Sequence, residues 1–411
     1  MPEFLQLLPP QEALKIWLEN LPAVPMREEE IESASALNRV TARAVVAPEP
    51  LPPFHRSTVD GYAVRAKDTF GASDSLPAYL ELAGEVPMGA PPPFELKAAQ
   101  AALIHTGGML PEGADAVVMV EHTQLARPGE VEVLRAVAVG ENVLLTGEDV
   151  SAGQTVIEAG RRLRPAEIGG LMALGITRVA VVKPPHIGIL SSGDEVVSPE
   201  KQPGPGQVRD ANSYSLGALI QAVGGVANRY GILPDRAEAL ESALAGALKE
   251  CDAVVITAGS SASTRDLTAQ VIHAAGAPGV LVHGVNVRPG KPTILAVCNG
   301  KAVIGLPGNP VSALVIAGLF LRPVIEHLLG MTRREIQPQV SARLTVNLPS
   351  QAGREDWVPV RLIAGVDGFR AEPVYYKSNL IFRLAQADGL LRIPADANGL
   401  AAGETAQVVL L

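Results

Sequence analysis

Residues 303–320 constrain the fold of this chain more than any other stretch. Two apolar strand residues lead through a Pro-Gly-Asn-Pro turn at 307–310 into an almost wholly apolar helix at 311–321. Asn309 suits the N-cap position because its side-chain oxygen can accept a hydrogen bond from the first helical turn, and Pro310 suits the first helical position. A strand that turns directly into a helix leaves N–H groups free beside the positive end of the helix dipole. The turn is therefore either an anion site or a rigid connection without a ligand.

Length and composition indicate a globular chain of several domains. The 411 residues are 47% hydrophobic and carry a net charge of -9, which suits about two to four domains. No run of Lys and Arg is interleaved with aromatics, so nucleic-acid binding is not expected. The longest apolar run is too short to span a bilayer, and the N-terminus lacks a basic signal-peptide region. We expect a cytoplasmic protein without a membrane partner, in which Cys251 and Cys298 are core thiols.

From Pro184 onwards, short apolar strands alternate with helical segments. Strands are predicted at 187–191, 226–233, 253–256 and 280–282, and helices at 212–223, 236–249 and from Leu267. Such alternation predicts a doubly wound parallel sheet with helices on both faces. Ligands of these sheets bind outside the carboxyl ends of the strands.

The loops predicted at those strand ends are rich in charge. They carry the carboxylates Asp194, Glu195, Asp235 and Asp266. Each carboxylate could simply cap its own helix, whereas a converging set would suit Mg²⁺, which binds one or two carboxylates together with phosphate oxygens. Arg288 and Lys291 flank a Pro-Gly turn, and two cations at one turn suit an oxyanion.

The two ends of the chain differ from this middle part. A helix is predicted to begin at Pro10, prolines interrupt regular structure at 48–53, and residues 76–140 are typical of short strands. After Arg322 the pattern predicts a small β-barrel or sandwich, which supplies Arg361 and a polar cluster at 377–379.

Six short segments follow one another along the chain. Each alone is a weak signal, but their combination in this order is specific. They are 57–63 (Ser-Thr-Val-Asp-Gly-Tyr-Ala), 106–118 (from Thr106 to Val118), 147–150 (Gly-Glu-Asp-Val), 192–195 (Ser-Gly-Asp-Glu), 289–292 (Pro-Gly-Lys-Pro) and 305–312 (Gly-Leu-Pro-Gly-Asn-Pro-Val-Ser). With these segments the chain resembles the molybdopterin molybdenumtransferase (MoeA) family, which includes the E domain of gephyrin. The resemblance covers nearly the whole chain.

The resemblance implies a multidomain α/β plus β protein. It combines a doubly wound parallel-sheet domain that binds nucleotide and pterin, a helical domain with an inserted β domain, and a C-terminal β-barrel-like domain. The predicted ranges are 1–46 and 150–182 for a helical/extended dimerisation domain, 47–149 for the inserted β-rich domain, 183–331 for the α/β molybdopterin-binding domain, and 332–411 for the C-terminal β domain.

The resemblance also implies an activity and its site. Family members are homodimers that insert molybdate into adenylylated molybdopterin with Mg²⁺-assisted release of AMP, and molybdopterin adenylyltransferase would be an upstream partner. Carried over by position, the catalytic residues are Asp60, Thr106, Asp149, Glu195, Asp235 and Asp266, of which Glu195, Asp235 and Asp266 would hold the metal. The binding residues are Ser192, Gly193, Gly259, Ser260, Arg288, Lys291, Pro307, Gly308, Asn309, Pro310, Arg361 and Ser378.

Three positions depart from the family pattern. Leu144 stands where the family has an arginine, Thr264 stands where it has a glycine, and Arg288 replaces a lysine. Three alternatives therefore stay open beside the transferase: a non-catalytic molybdopterin-binding scaffold, a specialised paralogue (for example one that prefers tungstate), and an enzyme that acts on another nucleotide conjugate.

Overall fold

The computed structural model describes residues 7–23, 27–258, 262–333, 336–375 and 377–411, and of residues 126 and 262–266 it describes the backbone alone. The description below concerns these residues.

The first part of the chain, up to residue 182, is built mainly from short strands. Its helices are α1 (Pro10–Glu19) and α2 (Pro165–Ala173). Its strands are β1 (Glu28–Glu32), β2 (Val45–Val46), β3 (Arg56–Ser57), β4 (Gly61–Val64), β5 (Ala78–Glu85), β6 (Gln100–Ile104), β7 (Ala116–Met119), β8 (Thr123–Arg127), β9 (Glu130–Val133), β10 (Val143–Leu144), β11 (Thr155–Ile157) and β12 (Arg178–Val182). One six-stranded sheet, in the order β7-β4-β6-β5-β9-β8, lies inside the range predicted for the inserted β domain.

The segments on either side of that sheet pair with each other. β1 pairs antiparallel with β12, and β2 with β11, so residues 28–32 and 45–46 are extended, while Ser33–Ser35 form a single 3-10 turn. Helix α1 begins at Pro10 as predicted, but its apolar face packs on the α/β region instead. Trp17 is fully buried there, and its Nε1–H donates to the carbonyl of Ala296 at 2.7 Å. The domain boundaries themselves stay a prediction.

The middle part of the chain is the α/β region. Its strands are β13 (His186–Ser192), β14 (Val196–Val197), β15 (Val208–Arg209), β16 (Val226–Leu233), β17 (Ala253–Ala258), β18 (Pro278–His283), β19 (Val287–Arg288), β20 (Ile294–Cys298) and β21 (Lys301–Pro307). Its helices are α3 (Asn212–Val223), α4 (Ala237–Glu250), α5 (Ala262–Ala274), α6 (Pro310–Ile316) and α7 (Arg322–Leu328). The main sheet has the order β16-β13-β17-β21-β20-β18.

This sheet is mixed rather than wholly parallel. β16, β13, β17 and β21 are parallel as predicted, whereas β20 runs antiparallel to both of its neighbours, β21 and β18. The cause is the two-residue turn Asn299-Gly300, in which both residues have positive φ, 51° and 81°. A tight Asn-Gly turn of this kind joins adjacent antiparallel strands and leaves no room for a crossover helix.

Helices cover both faces of the sheet, which confirms the doubly wound prediction. One core includes Ile220 of α3 and Ile316 of α6, and the other includes Leu244 of α4 and Ile272 of α5. Cys251 and Cys298 are buried, as expected for core thiols. Burial raises the pKa of Cys298 to about 11, so its thiol stays protonated and unreactive at neutral pH.

The apolar helix after the 307–310 turn is longer than predicted and is not uniform. α6 continues into a π-helical segment, Ala317–Leu321, and then into α7. Together they form the stretch Pro310–Leu328, which is long and apolar enough to cross a membrane, the one such helix among the described residues. Of its most apolar part, 61% is buried inside the fold, which is the environment of a core helix.

The last part of the chain forms a small barrel. Its strands are β22 (Gln339–Leu344), β23 (Leu348–Pro349), β24 (Glu355–Gly365), β25 (Gly368–Pro373), β26 (Gly389–Ile393), β27 (Gly399–Leu400) and β28 (Thr405–Leu410), and its helix is α8 (Ile381–Ala385). The order β24-β25-β22-β28-β26 closes because β24 also pairs with β26. β19 of the α/β region pairs parallel with β24, so the barrel is attached beside the carboxyl ends of the α/β strands.

Candidate functional site

A cavity of about 720 Å³ lies between the α/β region and the barrel. Its walls come from the 288–292 turn, the 307–312 turn and helix start, the start of β24, and the loop at 373–378. Its size is within the usual range of small-molecule sites, ~300–1,000 Å³. The two turns identified in the sequence therefore face one common space.

The Pro-Gly turn after Arg288 is fixed against helix α6. Gly290 has a φ of +115°, and a Cβ added there would lie 2.2 Å from Cγ1 of Ile316. Thr293 Oγ1 donates to the Gly290 carbonyl at 2.6 Å, and the Val285 N–H donates to the Lys291 carbonyl at 2.9 Å. The position of Lys291 at the cavity is thus set by backbone packing that requires glycine.

Asn309 occupies the predicted N-cap position and Pro310 the first helical position, but the Asn309 side chain accepts no hydrogen bond from the first turn. Its Nδ2–H donates to Ser378 Oγ at 3.0 Å, and the Val311 N–H donates to the Ser378 carbonyl at 3.0 Å. A loop of the barrel therefore supplies the acceptor that the sequence assigned to Asn309. Asn212, at the start of α3, donates from Nδ2 to the Gly308 carbonyl at 2.8 Å, so the turn is held from both sides.

The cavity is cationic. It is lined by Arg288, Lys291, Arg354 and Lys377, and by one carboxylate, Asp356, which leaves a formal charge of +3. Pro307, Asn309 and Ser378, predicted as binding residues, also line it. An excess of N–H donors over acceptors in a partly enclosed space favours an anionic ligand.

The structure does not bring Arg361 to this cavity. Arg361 lies further along β24, opposite Glu372 of β25 in the register, and its Nη1 is 3.9 Å from Glu372 Oε2. Both side chains are about half exposed. Arg354 lines the cavity instead. The sequence analysis missed Arg354 because this residue lies in an irregular turn before β24, where no periodicity indicates which way a side chain points. It named Lys377 only as a member of the polar cluster at 377–379.

The acidic residues of the α/β region form a separate group at the ends of β13 and β16. Ser192 Oγ–H donates to Asp235 Oδ1 in a short contact, and the Asp235 N–H donates to Asp194 Oδ1 at 3.3 Å. Gly193 has a φ of +153°, and a Cβ there would lie 2.8 Å from Glu195 Oε2. The structure thus brings Asp194, Glu195 and Asp235 to one strand end.

Three predicted site residues lie wholly or partly outside the described part of the structure. They are the binding residues Gly259 and Ser260, and the metal candidate Asp266, of which only the backbone is described. Among the residues that are described, no group of three or more His, Cys, Asp or Glu is arranged to hold a metal ion. The metal role of Glu195, Asp235 and Asp266 stays a prediction.

The site residues of the N-terminal half lie elsewhere. Asp60 Oδ1 accepts hydrogen bonds from the N–H of Thr106 at 2.7 Å and from its Oγ1 at 3.0 Å. These hydrogen bonds, first the backbone one, lower the pKa of Asp60. His105 lies beside it, with Nδ1 3.8 Å from Asp60 Oδ1 and Nε2 3.3 Å from Glu85 Oε1. We call these four residues the Asp60 cluster.

The Asp60 cluster is open to solvent. The side chain of Asp60 is 63% exposed, and Asp149 is also exposed. The Asp149 N–H donates to the Leu51 carbonyl at 3.1 Å. None of Asp60, Thr106 and Asp149 is among the residues that line the cavity.

Family models match almost the whole chain in three consecutive pieces. They are the MoeA N-terminal region (domain I and II) at residues 8–175, the probable molybdopterin binding domain at 188–327, and the MoeA C-terminal region (domain IV) at 341–411. These matches agree with the succession of a strand-rich part, an α/β part and a barrel.

Curated relatives and solved structures agree with the models. The chain is 36% identical to a protein of Methanocaldococcus jannaschii over 98% of each chain. It is 32% identical to the molybdopterin molybdenumtransferase of Haemophilus influenzae over 95% of each chain. A crystal structure of the molybdopterin biosynthesis moeA protein from Pyrococcus horikoshii is 32% identical, with a TM-score of 0.85, and the match covers 99% of this chain and 100% of that one. The chain belongs to the MoeA family of molybdenum cofactor biosynthesis.

Proposed function

We propose that this protein is a molybdopterin molybdenumtransferase, which inserts molybdate into adenylylated molybdopterin and releases AMP with the help of Mg²⁺. The observation that carries the proposal is the cationic cavity between the 288–291 turn and the barrel. Several relatives of comparable length bear the name of this enzyme.

The cavity is the proposed molybdate site. Molybdate is a tetrahedral dianion, and its four oxygens can accept hydrogen bonds from several directions at once. Arg288 and Lys291 supply charged donors from one wall, and Lys377 and the Ser378 hydroxyl supply donors from another. Because the Asn309 amide donates to Ser378 Oγ, the hydroxyl proton of Ser378 is left to donate to a ligand.

The acidic group at the ends of β13 and β16 is the proposed location of Mg²⁺. Asp194 and Asp235 are joined through the Asp235 N–H, and each keeps carboxylate oxygens that can face a cation. Two protein carboxylates together with phosphate oxygens are a usual Mg²⁺ environment. When bound, Mg²⁺ would neutralise charge on the phosphates of the adenylylated substrate. The described carboxylates Asp194, Glu195 and Asp235 do not form a metal-binding group by themselves, so the proposed site would also need Asp266 and phosphate oxygens of the substrate.

The exposed Asp60 cluster supports a homodimer in which Asp60, Thr106 and Asp149 act on the cavity of the partner subunit. Helix α2 offers a surface for such a contact. Its outward residues Ala166, Gly169, Gly170, Met172 and Ala173 are small or apolar and exposed. In the same proposal the protein is cytoplasmic and receives its substrate from molybdopterin adenylyltransferase.

AMP release is the measurement that tests this function. Purified protein given adenylylated molybdopterin should release AMP only when molybdate and Mg²⁺ are both present. No release, under conditions where the Haemophilus influenzae relative is active, would overturn the transferase. Tight pterin binding without release would instead assign the scaffold role, and release with tungstate in preference to molybdate would assign the specialised paralogue.

A further inference from the structure

Asp356 is a buried carboxylate that joins two arginines at the cavity wall. The residue is 3% exposed. Its Oδ1 accepts from Arg354 Nε at 2.9 Å, and its Oδ2 lies 3.7 Å from Arg288 Nη1. The pairing of β19 with β24 sets this arrangement, because Arg288 and Asp356 are register partners.

Both arginines contact Asp356 on the wall side and keep other guanidinium nitrogens free to face the cavity. Arg354 meets Asp356 through Nε, so both of its terminal nitrogens stay available as donors. The side chains of Arg288 and Arg354 are 62% and 31% exposed, whereas that of Asp356 is 5% exposed. The carboxylate therefore lies in the wall, and the guanidinium groups reach the cavity.

A buried carboxylate must be compensated, because burying an unpaired charge is costly. Two neighbouring guanidinium groups repel each other unless an anion lies between or beside them. Asp356 meets both requirements before any ligand arrives. The wall is thus organised in advance, which lowers the cost of ordering long side chains on binding.

We infer that Arg354 is a further binding residue for the substrate oxyanion, and that Asp356 is a positioning residue that holds Arg288 and Arg354 as a pair aimed at it. The inference rests on the proposed function, of which it deepens the anion site. The cavity is larger than one tetrahedral oxyanion requires, so the pair Arg288 and Arg354 determines where in the cavity the anion binds.

The direction in which Asp356→Asn changes the molybdate affinity distinguishes a positioning role of Asp356 from a simple effect of its charge. If Asp356 acted only as a negative charge near the ligand, Asp356→Asn would raise the net charge of the cavity and strengthen anion binding. If Asp356 positions the arginines, the same isosteric change weakens binding. We expect the Kd for molybdate alone, measured by calorimetry without pterin, to rise about tenfold in Asp356→Asn.

The chain offers a matched control one residue away. Glu355 is also buried and also charge-paired, since it accepts from Trp357 Nε1 at 2.8 Å and from Arg392 Nη2 at 2.6 Å, but it does not line the cavity. Glu355→Gln should lower thermal stability about as much as Asp356→Asn and leave the molybdate Kd unchanged. A purely structural role for Asp356 would make the two variants behave alike.

Arg354→Lys provides a second, independent measurement if Asp356→Asn does not fold. It keeps the charge and removes the planar fork, so the Kd should again rise about tenfold. Unchanged or tighter binding in the folded variants would overturn the inference. Wild-type protein that binds no molybdate would instead overturn the proposed anion site, so the two failures are distinguishable.

Discussion

The cavity and the Asp60 cluster both contain predicted site residues, and they are built in opposite ways. The cavity draws its walls from separate segments of one chain and contains a carboxylate that is 3% exposed. The Asp60 cluster lies on the surface, and its central carboxylate is 63% exposed. The buried charge of Asp356 is poorly screened, whereas the exposed charge of Asp60 is screened by water and salt. We therefore expect the cavity to bind an anion without a second surface, whereas the Asp60 cluster needs another surface to cover it before it can act in a dry site.

The largest effect should come from filling the space at Gly290. In Gly290→Ala the new Cβ would clash with Ile316, and the alanine would have to adopt a backbone φ of +115°. Overpacking costs about 1–3 kcal/mol, and the left-handed conformation adds about 1–2 kcal/mol. We expect a clear fall in the thermal unfolding temperature and loss of molybdate binding.

Gly71 is the matched control, and it belongs to the other half of the molecule. It has a φ of +86° but no heavy atom within 4 Å of an added Cβ. Gly71→Ala should cost the backbone strain alone, about 1–2 kcal/mol, and leave anion binding intact. If the two variants lost equal stability, the packing of the turn on α6 would not be what fixes the cavity.

A smaller effect is expected from removing one cation of the cavity. Lys291→Ala should weaken molybdate binding by about 1.5–3 kcal/mol, the usual contribution of a hydrogen bond to a charged group. Arg361→Ala removes a cation outside the cavity that pairs with Glu372 at the surface, so it should change the affinity by less than about 0.5 kcal/mol. Calorimetric titration with molybdate measures both. A larger loss in Arg361→Ala than in Lys291→Ala would contradict the assignment of the walls.

Asp60→Asn should lower turnover without changing the molybdate affinity of the cavity. Mixing this variant with Lys291→Ala tests whether the two regions meet across subunits. If Asp60 acts on the partner's cavity, a mixed dimer contains one intact site and AMP release returns to about half the wild-type rate per dimer. If Asp60 acts on its own cavity, the mixed dimer has no intact site and stays inactive.

The smallest effect concerns acid titration of Asp60. Its hydrogen bonds from Thr106 hold its pKa below the ordinary value of 3.8. A lowered folded-state pKa stabilises the fold above the unfolded pKa, and the contribution is lost as pH falls through the folded pKa. Thr106→Val removes the hydroxyl donor and keeps the backbone donor, so NMR titration should show the Asp60 pKa moving only part of the way to 3.8. An unchanged pKa would mean that the hydroxyl contributes nothing.

The sequence predicted the order of the α/β elements and the two turns at the cavity, since apolar periodicity and Pro-Gly chemistry are local signals. The sequence predicted side-chain contacts less well where the residue contacted lies far away along the chain. Asn309 is the N-cap residue of its helix, but its side chain donates to Ser378 instead of accepting from the first turn, because a barrel loop provides the acceptor for the Val311 N–H. Arg361 was assigned to the oxyanion site by its position in the family pattern, and the sequence alone does not show that it pairs with Glu372 of β25, away from the cavity.

The π-helical segment Ala317–Leu321 interrupts the α-helical hydrogen bonding in the middle of the long core helix. Pro323 follows it and has no N–H to donate to a carbonyl four residues earlier, and a π-turn holds one residue more than an α-turn does. Because the π-turn holds the extra residue, the α-helical segments on either side of it keep their own faces on the core: Ile316 lies beside Gly290, and Val324 and Ile325 of α7 are buried. Deleting Gly318, which has open space around it, would convert the π-turn into an α-turn without rotating these two segments relative to each other, whereas the same deletion in a regular α-helix rotates them by about 100°. A residue can thus be lost from this helix while the turn at Gly290 keeps its support.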